Sequence, residues 1–334
     1  MHIAIVYSLP SKRLLATQYG ETDEDSAIIA RVVAKGLGAR GQNVTIYSIA
    51  EDQIAMISSI KADCIFNLVE WCGQDIELSK RAFECFRKLR VPVTGSSEEL
   101  FVLTGDKIRV KHELKKMGIP TPRGFVFKTG DEKVPHDLPY PMLVKPSLEH
   151  CSMGLTYGSI AYNMGEVEAI AKRQIQIFHQ SALAEEFIVG RELLVYLLEE
   201  EGGVRVLPIE EVIFSNHNPL AFQTYESKWD QDHLDYKTSK VVVADLSREE
   251  QNIIESTCVK AFKKIGFRGY ARFDVRLRDT IPYLLETNVN PSVYDSDEEL
   301  KDINDEVIFG IKFSDYLMAI VESALWHYER GSVV

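Results

Sequence analysis

Two strand-like segments near the C-terminus, 270–277 and 284–291, constrain the fold more than any other feature of the sequence. Each alternates polar with apolar residues, and the stretch that separates them contains a short polar turn candidate, 278–280. Because a strand points every second side chain to the same face, we predict a hairpin of the two segments. Uninterrupted alternation would place Leu284 on the polar face of that hairpin. The polar members of this face would be one cation, two carboxylates and an amide: Arg272, Asp274, Glu286 and Asn288.

The polar face suits a magnesium site. Carboxylate and amide oxygens on a rigid sheet are ligands that Mg²⁺ accepts, and the ion usually keeps substrate phosphates among its remaining ligands. Asp274, Glu286 and Asn288 are the candidate metal ligands, and Arg272 would reach a phosphate whose charge the metal neutralises. The alternative is a solvated sheet face with a surface ion pair, since such pairs are common. The spacing alone leaves both interpretations open.

Strand-like and helical segments alternate through residues 1–97. Short apolar runs such as 3–7 and 64–68 alternate with helical patterns such as 25–37 and 76–90. This alternation is typical of a parallel sheet with helices on both faces. The first 97 residues are therefore predicted to form an α/β domain.

Three glycines in this region match the spacing of a dinucleotide-binding fingerprint. Such a fingerprint follows a strand and opens a helix. Gly36, Gly38 and Gly41 instead end a predicted helix and precede a predicted strand. We interpret them as a helix C-terminus and turn, where glycine is favoured.

Bulk properties argue against several classes of protein. The net charge of −12 argues against a basic nucleic-acid-binding surface, and no apolar run is long enough to span a bilayer. The N-terminal segment 1–7 lacks the basic region of a signal peptide and is predicted to be a strand. The five cysteines are odd in number and lack a paired CxxC arrangement, which favours reduced thiols in a cytoplasmic protein.

The order of motifs along the chain resembles the ATP-grasp superfamily, and within it the D-alanine–D-alanine ligase-like branch. The resemblance covers nearly the whole chain. It rests on FNLVE (66–70), PVTGS (92–96), DK (106–107), LVKP (143–146), EEFIVGRE (185–192), YESKW (225–229), ARFD (271–274) and LETNVNP (285–291). It implies an N-terminal α/β domain 1–97, a central ATP-binding domain 98–184 and a C-terminal domain 185–334. ATP would bind between the central and C-terminal domains.

The resemblance assigns nucleotide contacts to several positions. Lys107 and Lys145 would bind ATP phosphates, for which lysine is a suitable compact charge. Glu192 would bind the ribose hydroxyls. The adenine pocket would be lined by Glu185, Glu186, Phe187 and Ile188. Mg²⁺, for which Mn²⁺ could substitute, would bind the three candidate metal ligands named above.

Two further segments would close over the nucleotide. Lys228 lies in 225–229, a lid that in the family covers the nucleotide and excludes water. The loop 149–154 would fold over the γ-phosphate through its backbone N–H groups. Ser152 of this loop is a candidate catalytic residue, together with Lys228 and Arg272.

The implied activity is ATP-dependent joining of a carboxylate to an amine. Transfer of the γ-phosphoryl group would convert the carboxylate, a poor acyl donor, into an acyl phosphate, and the amine would then displace phosphate. Arg272 and a backbone N–H near Ser292 would stabilise the tetrahedral oxyanion. The expected partners are small amino-acid or amine substrates, and a homodimer is left open.

The positions that hold amino-acid substrates in the family depart from strict D-alanyl-D-alanine ligases. Val69-Glu70 replaces a His-Gly pair, Trp229 replaces a tyrosine, and 292–297 replaces a segment containing glycine, serine and histidine. Two alternatives therefore stand beside a general amino-acid ligase. One is a strict D-alanine–D-alanine ligase of peptidoglycan synthesis. The other is a nucleotide-binding protein without ligase activity. The presence of the complete set Lys145, Arg272, Asp274, Glu286 and Asn288 argues against this second alternative.

The same positions are rich in acids. The candidates are Glu24 or Asp25 in the first helix region, Glu70 after the third strand, and Asp295 and Asp297 after the metal ligands. Carboxylates gathered at a pocket favour a cation by charge pairing. At least one substrate is therefore predicted to carry an amino or guanidino group beyond that of alanine. The alternative is that these acids belong to the surface of an acidic protein.

Overall fold

The computed structural model describes residues 1–20, 26–215, 218–293, 307–308 and 310–331. The sheets of this mixed α/β chain follow one another along the sequence, as expected. None of the helices within the described ranges is both long and apolar enough to cross a membrane. All five cysteines lie in these ranges and are free.

The N-terminal region contains a parallel sheet of order β2-β1-β3 with a helix layer on each face. Its elements in chain order are β1 His2–Ser8, α1 Lys12–Leu15, α2 Ser26–Ala39, β2 Asn43–Ile49, a 3₁₀ helix Ile54–Ser59, β3 Cys64–Leu68, a 3₁₀ helix Gly73–Asp75 and α3 Ile76–Leu89. Successive residues of the central strand β1 point to opposite faces of the sheet and pack in different hydrophobic cores. Ile3 packs in the cluster that contains Val33 of α2, and Ala4 packs in the cluster that contains Phe83 of α3. This explains why β1 is a nearly continuous apolar run.

The glycines that imitate a dinucleotide fingerprint lie at the end of α2 and in the turn to β2. Gly36 is inside the helix, where an added Cβ would come within 2.6 Å of the Leu317 side chain. Gly41 has a φ of +73° in the turn, a conformation that favours glycine. The interpretation as a helix end and turn is confirmed for Gly41, whereas Gly36 is needed for close helix packing.

The central region contains an antiparallel sheet of order β4-β7-β5-β6. Its elements are α4 Glu98–Thr104, α5 Lys107–Lys116, β4 Gly124–Phe127, β5 Met142–Pro146, a 3₁₀ helix Tyr157–Ser159, β6 Ile160–Ala161, α6 Met164–Phe178 and β7 Ala182–Glu186. Val144 and Ala184 pack on the side of α6. The neighbouring residues Lys145 and Glu185 therefore point to the opposite face of the sheet. The boundary proposed between 184 and 185 falls inside β7, and the three-domain division stays a proposal.

The C-terminal region contains an antiparallel sheet of order β11-β10-β8-β12-β13, with β9 paired to β8. Its elements are β8 Arg191–Glu200, β9 Gly203–Val206, β10 Glu210–Phe214, α7 Tyr225–Trp229, α8 Leu234–Thr238, β11 Ser239–Val243, α9 Arg248–Ile265, β12 Tyr270–Arg278, β13 Ile281–Val289, β14 Val307–Ile308, β15 Ile311–Lys312 and α10 Phe313–Glu329. Leu193 and its alternate neighbours on β8 pack with α9, whereas Leu194 and its alternate neighbours pack with α10.

The predicted hairpin is formed by β12 and β13, and its register contains a bulge. Asp274 pairs with Glu286, but the next residue, Val275, pairs with Leu284, so Leu285 has no partner across the ladder. The prediction that Leu284 shares the polar face was therefore wrong. The extra residue turns Leu284 into the core with α9 while Glu286 stays on the polar face.

Candidate active site

The hairpin register brings together the four polar residues expected on one face. Arg272 lies opposite Asn288, and Asp274 lies opposite Glu286. The Arg272 Nε donates to Asp274 Oδ1 at 2.8 Å, and the Asn288 Nδ2 donates to the same oxygen at 3.4 Å. Direct cross-strand pairs share a face of the sheet, so the local alternation was sufficient to predict this grouping.

Two predicted phosphate-binding lysines converge on Glu286 from the central region. Lys145 of β5 donates from Nζ to Glu286 Oε1 at 3.2 Å, and Lys107 Nζ lies 3.6 Å from the same oxygen. Lys107, the first residue of α5, also donates to the carbonyl oxygen of Glu149. Three elements that are distant in sequence therefore place two ammonium groups and a carboxylate at one point.

The pKa values of Glu286 and Lys145 are shifted in the directions that favour their charged forms. Burial by itself raises the pKa of Glu286, but the charges of Lys107 and Lys145, followed by Lys228, outweigh burial and hold that pKa well below its usual range. Burial lowers the pKa of Lys145, but Glu185 and Glu286 together raise it above its usual range. Glu286 and Lys145 therefore stabilise each other's charged form.

The oxygen donors of Asp274, Glu286 and Asn288 fit a hard divalent cation. The Asn288 Nδ2 also donates to the backbone oxygen of Arg272 at 3.4 Å, so the amide nitrogen is engaged and its oxygen is the atom left for a metal. No group of three or more His, Cys, Asp or Glu side chains suited to a metal occurs in the parts of the chain that the structure describes. A donor set of two carboxylates and one amide suits Mg²⁺, which completes its shell with water and phosphate oxygens.

Apolar residues expected at the base pocket are buried next to this charged site. Phe187 and Ile188 are buried, and the Phe187 ring packs edge-on against Phe222 with their centroids 5.9 Å apart. Arg276 places its guanidinium carbon 5.1 Å from the Phe187 ring centroid. This cluster therefore combines buried apolar side chains with a cation over one aromatic ring, and its role as the adenine pocket stays a prediction.

The three glutamates expected at the adenine and ribose are all held in ion pairs. Glu185 is 2% exposed, with Lys111 Nζ at 2.6 Å from one oxygen and Lys145 Nζ at 2.8 Å from the other. The remaining pairs are Glu186 with Arg278 at 2.7 Å and Glu192 with Arg276 at 2.6 Å. Glu185 therefore faces lysines, and its predicted contact with adenine stays a prediction that this ion pairing does not favour.

Sequence reasoning missed the partners of these glutamates. Lys111 lies one helical turn after Lys107, and Arg276 shares the face of Asp274 along β12. The helical spacing and the strand alternation were the available signals.

The lid and the phosphate loop are joined by hydrogen bonds. The lid segment is the short helix α7, and Trp229 Nε1 at its end donates to the backbone oxygen of Cys151 at 3.1 Å. Ser152 Oγ donates to the backbone oxygen of Gln223 at 2.9 Å. Ser152 thus ties the loop to the chain before the lid, and its catalytic role stays a prediction. His150 Nδ1 lies 3.1 Å from Cys151 Sγ.

The predicted substrate acids are only partly described. Glu24, Asp25, Asp295 and Asp297 lie outside the described residues. Glu70 is half-buried, and its backbone N–H donates to Ser8 Oγ at 2.9 Å. Burial, and after it the charge of Glu70, raise the pKa of the Tyr270 hydroxyl above its usual range. Tyr270 precedes Arg272 by two residues on β12, so the charge of Glu70 acts on the strand that carries the polar face.

Comparison of the sequence with known proteins assigns the chain to one family. The family model described as D-ala D-ala ligase C-terminus matches residues 114–321. A protein of Aromatoleum aromaticum named D-alanine--D-alanine ligase is 30% identical over 89% of each chain. A protein of the same name from Methylibium petroleiphilum is 33% identical over 61% of this chain and 63% of its own length.

Solved structures show the same fold. The D-alanine–D-alanine ligase from Bacillus anthracis complexed with ATP superposes with a TM-score of 0.74, covering 99% of this chain and 100% of that chain at 17% identity. The VanG D-Ala:D-Ser ligase from Enterococcus faecalis superposes with a TM-score of 0.70, covering 97% of this chain and 99% of that chain at 17% identity. At these identities the structural likeness establishes the fold alone.

Proposed function

This chain belongs to the D-alanine–D-alanine ligase family, and we propose from this premise that it is an ATP-dependent carboxylate–amine ligase with the ATP-grasp fold. The observation that carries the proposal is the convergence of Lys107 and Lys145 on Glu286, beside Asp274 and Asn288. Two ammonium groups at a metal-type oxygen set suit the triphosphate of a nucleotide with its cation.

The residues of the site divide the chemistry between them. Lys107 and Lys145 bind the phosphates, and Arg272 adds charge where it spreads over the phosphoryl oxygens. Mg²⁺, or Mn²⁺ in its place, held by Asp274, Glu286 and Asn288, would neutralise further phosphate charge and lower the barrier to transfer.

The reaction proceeds in two substitutions. A carboxylate oxygen of the first substrate attacks the γ-phosphorus, the bond to ADP breaks, and an acyl phosphate forms. The amine nitrogen of the second substrate attacks the acyl carbon, phosphate leaves with its bonding electrons, and the amine loses a proton. Arg272 and a backbone N–H near Ser292 stabilise the oxyanion of this second step.

Exclusion of water is the function we assign to the joined lid and loop. The hydrogen bonds from Trp229 to Cys151 and from Ser152 to Gln223 close the nucleotide side of the site. An acyl phosphate exposed to water would be hydrolysed, so closure protects the intermediate. Burial raises the pKa of Glu286, whereas the charges of Lys107 and Lys145, and after them that of Lys228 on the lid, lower it.

Amino acids or related amines are the proposed substrates. The names of the relatives favour a strict D-alanine–D-alanine ligase as the second candidate. Val69-Glu70 and Trp229 stand where strict ligases carry other residues, and they favour a different substrate pair. A cytoplasmic location is proposed with this function, because all five cysteines are free thiols.

The test is phosphate release from Mg-ATP across pairs of amino acids, with each product identified by mass. We expect one pair to give stoichiometric ADP, phosphate and a ligated product. Lys145→Ala serves as the inactive reference, and Lys115→Ala, exposed on α5, as the matched control. Absence of phosphate release with every pair, in wild-type protein that remains folded, would contradict the proposal.

A further inference from the structure

A buried lysine outside the predicted site stands at the end of a chain of alternating charges. Lys111 of α5 has a side chain that is 6% exposed, and its Nζ lies 2.6 Å from Glu185 Oε2. The other oxygen of Glu185 receives Lys145 at 2.8 Å, and Lys145 in turn donates to Glu286. Lys111 is therefore linked through one carboxylate to a phosphate-binding lysine and then to a metal-type carboxylate.

The two lysines share the charge of Glu185 between them. The Glu185 side chain is buried away from water, so each of its carboxylate oxygens needs an ionic or hydrogen-bonding partner. With Lys111 in place, one oxygen of Glu185 has an ionic partner at 2.6 Å, and Lys145 can divide its hydrogens between Glu185 and Glu286. Without Lys111, the buried charge of Glu185 would draw Lys145 toward it and away from the phosphates.

A second contact connects Lys111 to the hairpin bulge. Lys111 Nζ donates to Thr121 Oγ1 at 3.0 Å, and Thr121 Oγ1 donates to the backbone oxygen of Leu284 at 2.8 Å. Leu284 immediately precedes the unpaired Leu285, and Leu285 is the chain neighbour of Glu286. Lys111 is thus linked to Lys145 through Glu185, and to the strand that carries Glu286 through Thr121.

We propose that Lys111 is a positioning residue for nucleotide binding, which acts through Glu185 on Lys145 and through Thr121 on the bulge before Glu286. The inference rests on the proposed function, since it assumes that Lys145 and Glu286 receive the phosphates and the cation. Lys111 itself touches neither group, and its contribution is to hold both in place before the nucleotide arrives.

The experiment compares Lys111→Met with wild type and with Lys115→Met, whose side chain lies exposed on the same helix. The readouts are the Kd of Mg-ATP from titration calorimetry, the KM of the amine substrate, and the melting temperature. We expect the Kd of Mg-ATP to rise at least about tenfold, a change of about 1.4 kcal/mol, while the amine KM stays within about twofold. Lys115→Met should match wild type in all three.

A merely structural role gives a different result. It would lower the melting temperature and leave the Kd of Mg-ATP unchanged in protein that is still folded, and this outcome would overturn the inference. If Lys111→Met does not fold, Lys111→Gln keeps a hydrogen-bond donor for Glu185 and Thr121 without the charge. A wild-type Kd in Lys111→Gln would overturn the inference as well.

The double variant tests the route of the effect. Glu185→Met removes the carboxylate that Lys111 holds, so adding Lys111→Met to it should change the Kd of Mg-ATP by less than about half the effect seen in wild type. Full additivity would show that Lys111 does not act through Glu185. Failure of the wild-type protein to bind Mg-ATP at all would instead contradict the proposed function.

Discussion

The ammonium group of Lys145 lies 3.2 Å from Oε1 of Glu286, across the boundary between two separate sheets. Each of these residues is proposed to bind a different part of a metal–nucleotide complex. The two groups pair with one another, and Glu286 also pairs with Lys107. Binding of Mg-ATP would exchange these ion pairs for lysine–phosphate contacts and a carboxylate–metal contact, which ties the two sheets together through the ligand.

Mg-ATP is therefore expected to stabilise the folded chain. A ligand that binds only the folded state at about 100 times its Kd stabilises it by about 2.7 kcal/mol, which corresponds to a rise in melting temperature of roughly 5 °C for a chain of this size. Differential scanning calorimetry at millimolar Mg-ATP measures the shift. ATP with EDTA should give a smaller rise, and an unchanged melting temperature at millimolar Mg-ATP would count against a nucleotide site.

Glu286→Gln should reduce turnover by at least about a hundredfold, as losses of charge stabilisation in a transition state often do. The amide keeps the shape of the side chain but removes the charge that would hold the cation and pair with Lys107 and Lys145. The initial rate of phosphate release is the measurement. Glu84→Gln, exposed on α3, is the matched control. Near-normal turnover in Glu286→Gln would place the metal elsewhere.

The same variant should change the dependence of stability on pH. Although burial raises the pKa of Glu286, Lys107 and Lys145 lower it further, so the folded state has the lower pKa. The stabilisation is fully present above the unfolded pKa of about 4.3 and is lost as the pH falls from there toward the folded pKa.

Urea unfolding of wild type and Glu286→Gln tests this expectation. The difference in free energy of unfolding between the two proteins should shrink as the pH falls from about 7 to about 3.5, because only the wild type has a carboxylate at position 286 that takes up a proton in the unfolded chain while it stays ionised in the folded one. A difference that stays constant over this range would show that the ion pairs of Glu286 do not stabilise the fold.

The polar face of the hairpin could be predicted because the strand period is a local property of the sequence. The alternation around Arg272 and Asp274 needs no information from other segments. The bulge at Leu285 could not be predicted in this way, since it depends on which residues pair across the ladder. One inserted residue moved Leu284 from the polar face to the core and left Glu286 in place.

The ion pairs of the glutamates were beyond prediction for a similar reason. Glu185, Glu186 and Glu192 stand in a motif that resembles a nucleotide pocket, but their partners come from α5, β5 and β12. Only the folded topology brings those elements beside β7 and β8. The sequence therefore predicted which residues share the polar face of the hairpin, but not the ion pairs of these three glutamates.

Closure of the lid should depend on an aromatic contact from the N-terminal region. The Tyr19 ring stacks on Phe178 with centroids 5.8 Å apart and meets Tyr225, the first residue of α7, edge-on at 4.9 Å. Removing the ring would loosen the lid that carries Lys228 and admit water. Tyr19→Ala is expected to raise the ratio of phosphate released to ligated product several-fold. Tyr162→Ala, an exposed tyrosine, is the control, and unchanged coupling in Tyr19→Ala would exclude this role.

Substrate charge is the last expectation, and Glu70 is the described residue on which it rests. Burial, and after it the charge of Glu70, raise the pKa of the Tyr270 hydroxyl, two residues before Arg272, and we propose that the amine enters on this side of the site. A substrate with a second amino or guanidino group would pair with this carboxylate.

We expect lysine-, ornithine- or polyamine-like amines to have a higher kcat/KM than D-alanine or neutral L-amino acids. Glu70→Gln should lower the preference for the cationic amine about tenfold, since a single close charge pair at an interface is worth at least about 1.4 kcal/mol, with little change for the neutral ones. Efficient formation of a dipeptide from D-alanine alone would contradict this expectation and support the strict D-alanine–D-alanine ligase, because the carboxylates would then play no part in substrate choice.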